Sequence, residues 1–200
     1  VNEVGDPSQL ILNTARARNA DLVVVGSRGR SRMAETLLGS VSHRVLLHAE
    51  HSTLVVKGDV GPVQRVLVAV EGKDDGERIT QWLLRHPFIN PVELRVLSVV
   101  VPLKVADPYQ VAGVESWSAA ATTYAQDFVN TIGASLRSSQ YVVKTHVVTG
   151  EVAATVAEQA KDMDLVVVSS HGRHGVDRFL LGSVSQSVVH RVADPILVVR

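Results

Sequence analysis

The chain has 200 residues, 46% of them apolar and 4% aromatic, with 20 basic side chains against 20 acidic ones. That apolar fraction excludes a wholly disordered chain, and the length allows one domain or a cramped pair. Charge balance gives no footprint for nucleic acid or an anionic membrane, no apolar run reaches the roughly 20 residues of a membrane span, and the absence of cysteine excludes disulfides, Cys-ligated metals and thiol catalysis.

In chain order, residues 8–18 have helical spacing, 22–25 form a valine-rich strand, 40–48 a second helix and 53–56 a second strand. Residues 58–62, inside Lys57-Gly58-Asp59-Val60-Gly61-Pro62, are a turn-forming linker. The apolar run from Arg65 to Val70 reads as a buried parallel strand. Residues 74–85 place Ile79, Leu83 and Leu84 on one helical face before Pro87, with Asp74 and Asp75 as a helix cap rather than a catalytic pair. A strand follows at 94–101, then a helix at 119–136 and a strand at 141–148. A helix at 152–160, a strand at 164–169, a helix lined by Val184, Val188 and Val192, and a strand at 196–199 complete the pattern. Residues 63–200 therefore read βαβαβαβαβ, an α/β unit with a mostly parallel sheet. Residues 1–57 carry only the last part of that pattern, with at most a strand tail at 1–4. Two strands and two helices bury too little to stand alone, so the exposed side of strand 22–25 is expected to be covered by another chain or by a preceding segment.

The chain repeats itself. Asp21-Leu22-Val23-Val24-Val25 returns as Asp164-Leu165-Val166-Val167-Val168, and the copies continue without a gap to Lys57 and Arg200. Leu37 to Ser42 matches Leu180 to Ser185 residue for residue. Apolar similarity alone would not keep glycines and serines in register, so duplication is the better reading.

After the repeated valine strand come Gly26-Ser27-Arg28-Gly29 and, nine residues later, Gly39-Ser40 opening a helix. Gly26 suits a tight turn off the strand and Gly29 a positive φ; Gly39 brings backbone amides close to a ligand, while Ser40 caps the helix. Free amides at a helix N-terminus favour an anion, and Arg28 and Arg30 add charge. The second copy has Ser169-Ser170-His171-Gly172, nine residues, then Gly182-Ser183, with Arg173 added. A purely structural loop would use the same glycines for its turns. His171 and His174 are either phosphate-reaching groups or exposed loop residues. His43, His48 and His51 suit a helix C-terminus, and Trp82 and Trp117 a core or interface. No further ligand completes a metal site.

The arrangement Val-Val-Val-Gly-Ser-Arg-Gly-Arg, Leu-Leu-Gly-Ser-Val-Ser and Leu-Val-Val resembles the universal stress protein family, whose ATP-binding members carry G-x2-G-x9-G-[ST]. Copy one matches at Gly26, Gly29, Gly39 and Ser40; copy two matches at Gly172, Gly182 and Ser183, with Ser169 for the first glycine. The resemblance implies an open five-stranded parallel sheet in order 3-2-1-4-5 with helices on both faces, Rossmann-like and of the adenine nucleotide alpha hydrolase-like type. It divides the chain into 1–57, the C-terminal part of a first domain, and 63–200, a complete second one. It also implies ATP beside strands 1 and 4, with an acidic residue after strand 1 at Val70-Glu71-Gly72 and an apolar wall for adenine near Val99. Glu71 stands where aspartate is usual. Val184 closes the implied set.

The expectation is a cytoplasmic stress-response protein that binds ATP, with or without magnesium, and pairs through strands 53–57 and 196–200 as a homodimer or between domains. The alternative is a dimerisation or adaptor module of the same fold that binds no nucleotide, and a slow ATPase ranks third. Neither nucleic acid nor membrane is an expected partner.

Overall fold

Most strand segments of this chain carry apolar side chains on both faces, which requires helices above and below the sheet. The structure, a computed structural model, describes residues 4–27, 38–58, 61–103, 111–170 and 181–200, and only the backbone of 111–115. The elements run α1 (Pro7–Ala17), β1 (Leu22–Gly26), α2 (Ser40–His48), β2 (Ser52–Val56), β3 (Arg65–Ala69), α3 (Lys73–Arg85) and β4 (Val92–Val100). They continue with α4 (Val111–Leu136), β5 (Tyr141–Thr149), α5 (Val152–Ala160), β6 (Leu165–Ser169), α6 (Ser183–Arg191) and β7 (Ile196–Val199).

The strands form one seven-stranded sheet in order β1-β2-β7-β6-β3-β4-β5. Within the second repeat the order is 3-2-1-4-5, all parallel, as expected. The first repeat adds β1 and β2, which are parallel to each other. β2 joins β7 antiparallel, with Leu54 opposite Leu197 and Val55 opposite Ile196. The last strands of the two repeats are thus paired within one chain.

Alternating strand residues sort onto two cores. Val55, Leu67, Val166, Val168, Ile196 and Val198 pack with α1, α2, α5 and α6. Val66, Val68, Leu94, Val96, Val167 and Leu197 pack with Ile79 and Leu83 of α3 and Val129, Ile132 and Leu136 of α4. α4 begins two turns before the expected residue 119. Trp82 stacks on His86 at 4.6 Å, while Trp117 is 43% exposed on α4 and so is not a core residue, the interface half of its reading being untouched.

The junction between the repeats is reinforced by a reciprocal contact. The Lys57 ammonium, nearly fully buried, donates to the carbonyls of Val189 (2.5 Å) and Val192 (2.6 Å) at the end of α6. Arg200, its repeat equivalent, donates through Nη2 to the carbonyl of Leu46 in α2 (2.6 Å). Burial pulls the Lys57 pKa down to about 8 against the opposing pull of Asp194. His43 and His190 face each other nearby with ring centroids 5.5 Å apart. His43 therefore sits in the early part of α2 rather than at its C-terminal end, where His48 does lie.

No described residue pairs with the outer edge of β1. Val24 is 57% exposed there, and α1 and β1 border a groove of about 510 Å³ lined by Leu10, Ile11 and Leu22. Among the described residues no helix is long and apolar enough to cross a membrane.

Candidate nucleotide site at the strand tips

An open parallel sheet offers a crevice where neighbouring connections leave in opposite directions. Here that point lies between β3 and β6: β3 leads outward through α3 to β4, while β6 leads through α6 to β7. Of the residues expected from the sequence, Val70, Glu71 and Ser169 lie at these two tips. Val70, just past β3, is buried and donates its N–H to the carbonyl of Leu97 at 2.9 Å. Glu71 follows at the surface. Its backbone N–H and that of Gly72 both donate to the Asp75 carboxylate at 2.7 Å. The N-cap of α3 is Gly72, and Asp75 at the third helical position supplies the capping-box carboxylate that tethers the backbone where Glu71 leaves the strand. Burial raises the Asp75 pKa, against the lowering pull of these amides. Val99 lies near the end of β4, partly buried and opposite Val148 of β5.

On the other side, Ser169 is the last residue of β6 and 5% exposed. Asn19 is the only non-glycine with positive φ among the described residues, so serine fits at 169 without backbone strain. Its carbonyl accepts from Ser185 Oγ at 2.7 Å, and the Ser170 carbonyl accepts from the Gly182 N–H at 2.8 Å. The first repeat reproduces this frame: Ser42 Oγ donates to the Gly26 carbonyl and the Gly39 N–H to the Ser27 carbonyl. These bonds fix the strand exit and the helix start of each repeat against one another.

The helices open differently from the sequence expectation. Gly39 and Gly182 occupy the extended N-cap positions, and Ser40 and Ser183 are the first helical residues, so Ser40 is not the cap. Neither helix start has a side-chain cap. The first amides of α6 therefore keep their electrostatic pull on an anion. Ser183 and Val184 are both exposed in this first turn. Arg28, Gly29, Arg30, His171, Gly172, Arg173 and His174 lie outside the described residues. Among the described residues no group of three or more metal-ligating side chains is assembled.

One residue at the crevice escaped the sequence reading. Arg78 of α3 reaches the tip of β6 and donates through Nη1 to Ser169 Oγ at 2.5 Å. In sequence it is one more charged residue on a helix; only the crossing of α3 over β6 brings it here.

The fold and the paired loops match a known family. The universal stress protein family model matches residues 1–57 and 62–200. A universal stress protein of Mycolicibacterium smegmatis is 31% identical over 188 residues, covering 92% of this chain and 63% of the relative. One from Mycobacterium tuberculosis is 29% identical over 203 residues with the same coverage of both. The chain thus spans 63% of the length of these curated relatives. It belongs to the universal stress protein family. Among solved structures, a functionally unknown Pseudomonas aeruginosa protein superimposes with TM-score 0.71 at 17% identity, covering 98% of this chain and 68% of that one. A universal stress protein from Archaeoglobus fulgidus gives 0.61 at 24% identity, covering 98% and 66%. At these identities the likeness is one of fold.

Proposed function

We propose that this chain is a cytoplasmic stress-response protein that binds ATP, or a related adenine nucleotide, at the crevice between β3 and β6. The observation that carries the reading is the uncapped start of α6 at Gly182, held by backbone bonds beside the tip of β6 and across the crevice from Glu71. In this reading the amides of Ser183 and Val184 receive the phosphates, and His171, Gly172 and Arg173 belong to the same phosphate-binding sequence pattern. Glu71 accepts from the ribose hydroxyls, and Val70 and Val99 border the base. Magnesium, where present, is held by the phosphates. Residues 1–57 are the C-terminal part of a first domain and 63–200 a complete second one. The equivalent loop of the first, with Gly26, Arg28, Gly29, Arg30, Gly39 and Ser40, is a phosphate half-site.

Isothermal titration with MgATP tests the assignment. Heat of binding and a raised melting temperature at millimolar ligand are expected, and neither should occur with Gly182→Val of unchanged secondary structure. An inert wild-type chain overturns the reading. A second reading, an adaptor module without nucleotide, is favoured by the antiparallel pairing of β2 with β7. It predicts assembly insensitive to ATP.

A further inference from the structure

We propose that the contact between α2 and α6 is a proton-operated latch between the two repeats: it holds while His43 and His190 share no more than one proton, and it loosens when both rings are charged. It lies at the C-terminal end of α6, the opposite end from the crevice, and holds whether or not nucleotide binds.

His43 comes from the start of α2 and His190 from the last turn of α6. The rings face each other with centroids 5.5 Å apart and planes tilted by 47°. His43 Nε2 is enclosed and has no hydrogen-bond partner among the described residues. Protonation turns both ring nitrogens into donors, so a charged His43 would hold an N–H that nothing accepts. At this separation two charged rings also repel.

The surrounding charges deepen the penalty. Lys57, just past β2, has a pKa of about 8, so it is already charged below pH 7, and its charge acts on His190. It also takes the Val189 and Val192 carbonyls, where the dipole of α6 would otherwise favour a charged histidine. Arg200 brings a second cation to the seam, at the Leu46 carbonyl of α2. Asp194, beyond α6, is the acid that acts on Lys57. The other formal charges carried by α1, α2, α5 and α6 are in ion pairs: Arg16 with Glu50, Arg44 with Asp6, Glu158 with Lys161 and Arg191 with Glu151. His48 stands at the far end of α2. Burial, then His43, then Lys57 hold the His190 pKa below its ordinary 6.5.

The duplication supplies a control. By repeat equivalence His43 corresponds to Gln186 and His190 to Leu47, so the positions that mirror this pair take no proton. The latch is therefore on one side of the seam only.

The test is histidine NMR titration and hydrogen exchange on the wild type, His43→Gln and His190→Leu, each substitute being the residue that the other repeat carries. His190 should titrate below the ordinary range in the wild type and move up in His43→Gln. Between pH 7.0 and 5.5 the amides of α2 and β2 should lose about fivefold in protection factor in the wild type, and less than about twofold in either variant. β3 and β4 should keep theirs. The loss falls on the acid side because a histidine held below 6.5 contributes its full stability only above that value and withdraws it as pH falls.

The same His190 midpoint in the wild type and in His43→Gln overturns the proposal, since the rings then do not share their charge. Equal loss of protection in all three chains overturns it by assigning the acid response to other groups. Loss spread evenly from β1 to β7 overturns it by making the response global. If neither variant folds, the wild type decides alone. A His190 midpoint below 6.5 with loss confined to α2, β2 and their neighbours in the first repeat supports the latch, and a midpoint at or above 6.5 overturns it.

Discussion

Lys57 caps the end of α6 through the carbonyl of Val189, and its repeat equivalent Arg200 donates to Leu46, the repeat equivalent of Val189. Each repeat thus supplies the cation that neutralises the C-terminal dipole of the other's last helix. A lysine this deeply buried is stable only with its donors engaged.

Replacing Lys57 with methionine keeps the volume but leaves the Val189 and Val192 carbonyls without these bonds. A loss of about 1–3 kcal/mol is expected in urea unfolding at neutral pH. The sign of the pH dependence follows from the folded pKa of about 8 against an ordinary value of 10.5. Between these values the unfolded chain binds the extra proton, so the Lys57 contribution to stability rises with pH. Wild type should gain on Lys57→Met between pH 8 and 10; parallel curves would show that Lys57 does not titrate there.

Asp75→Ala removes the acceptor for the Glu71 and Gly72 amides. The expected cost is about 1–2 kcal/mol by chemical denaturation, typical of a lost helix cap. Because burial raises the Asp75 pKa, the folded state takes up its proton first as pH falls. The Asp75 term therefore favours folding more in acid than at neutrality. The penalty of Asp75→Asn, measured from pH 7 downward, should grow relative to wild type.

Val55 is fully buried where β2 meets β7. Val55→Asp places an unpaired charge in that core and should cost more than about 3 kcal/mol. Hydrogen exchange with mass spectrometry should show protection lost in β1 and β2 while β3, β4 and β6 keep theirs. Uniform loss across the sheet would mean that the two repeats unfold as one unit.

Gly133 sits where α4 crosses β5, and a Cβ there would lie 2.8 Å from Thr145 Cγ2 and 3.3 Å from Val143 Cγ1. Both neighbours are β-branched and stiff. Helix propensity alone would make Gly133→Ala stabilising by about 1 kcal/mol. Overpacking opposes this at about 1–3 kcal/mol, so a net loss of stability is expected in thermal melts.

The succession of strands and helices was legible because valine runs such as 65–70 and 164–169 alternate with helical spacing, the strand order followed only from the family resemblance, and the duplication marked β2 and β7 as equivalents. The first turns of α4 were missed because 111–118 lack a regular apolar stripe. The cap was misplaced by one residue: serine is the more familiar cap, yet glycine takes the extended position here. Lys57 read as part of a linker, Arg78 as one more helix surface charge. Their destinations are set by how elements cross, which no local pattern encodes. The frame around Gly182 was legible, since its spacing from Ser169 is repeated between Gly26 and Gly39.

The antiparallel seam between β2 and β7 sets the geography of the two repeats. Strands of the first repeat run opposite to those of the second, so Gly26 and Ser169 emerge at opposite rims of the same sheet. Strands of about five residues separate the rims by roughly 16 Å. The described starts of the two loops therefore leave the sheet at separate places. Among the described residues the two repeats meet through the β2–β7 strands, the crossed cations Lys57 and Arg200, and the facing rings of His43 and His190, and these contacts are the route by which one rim would influence the other.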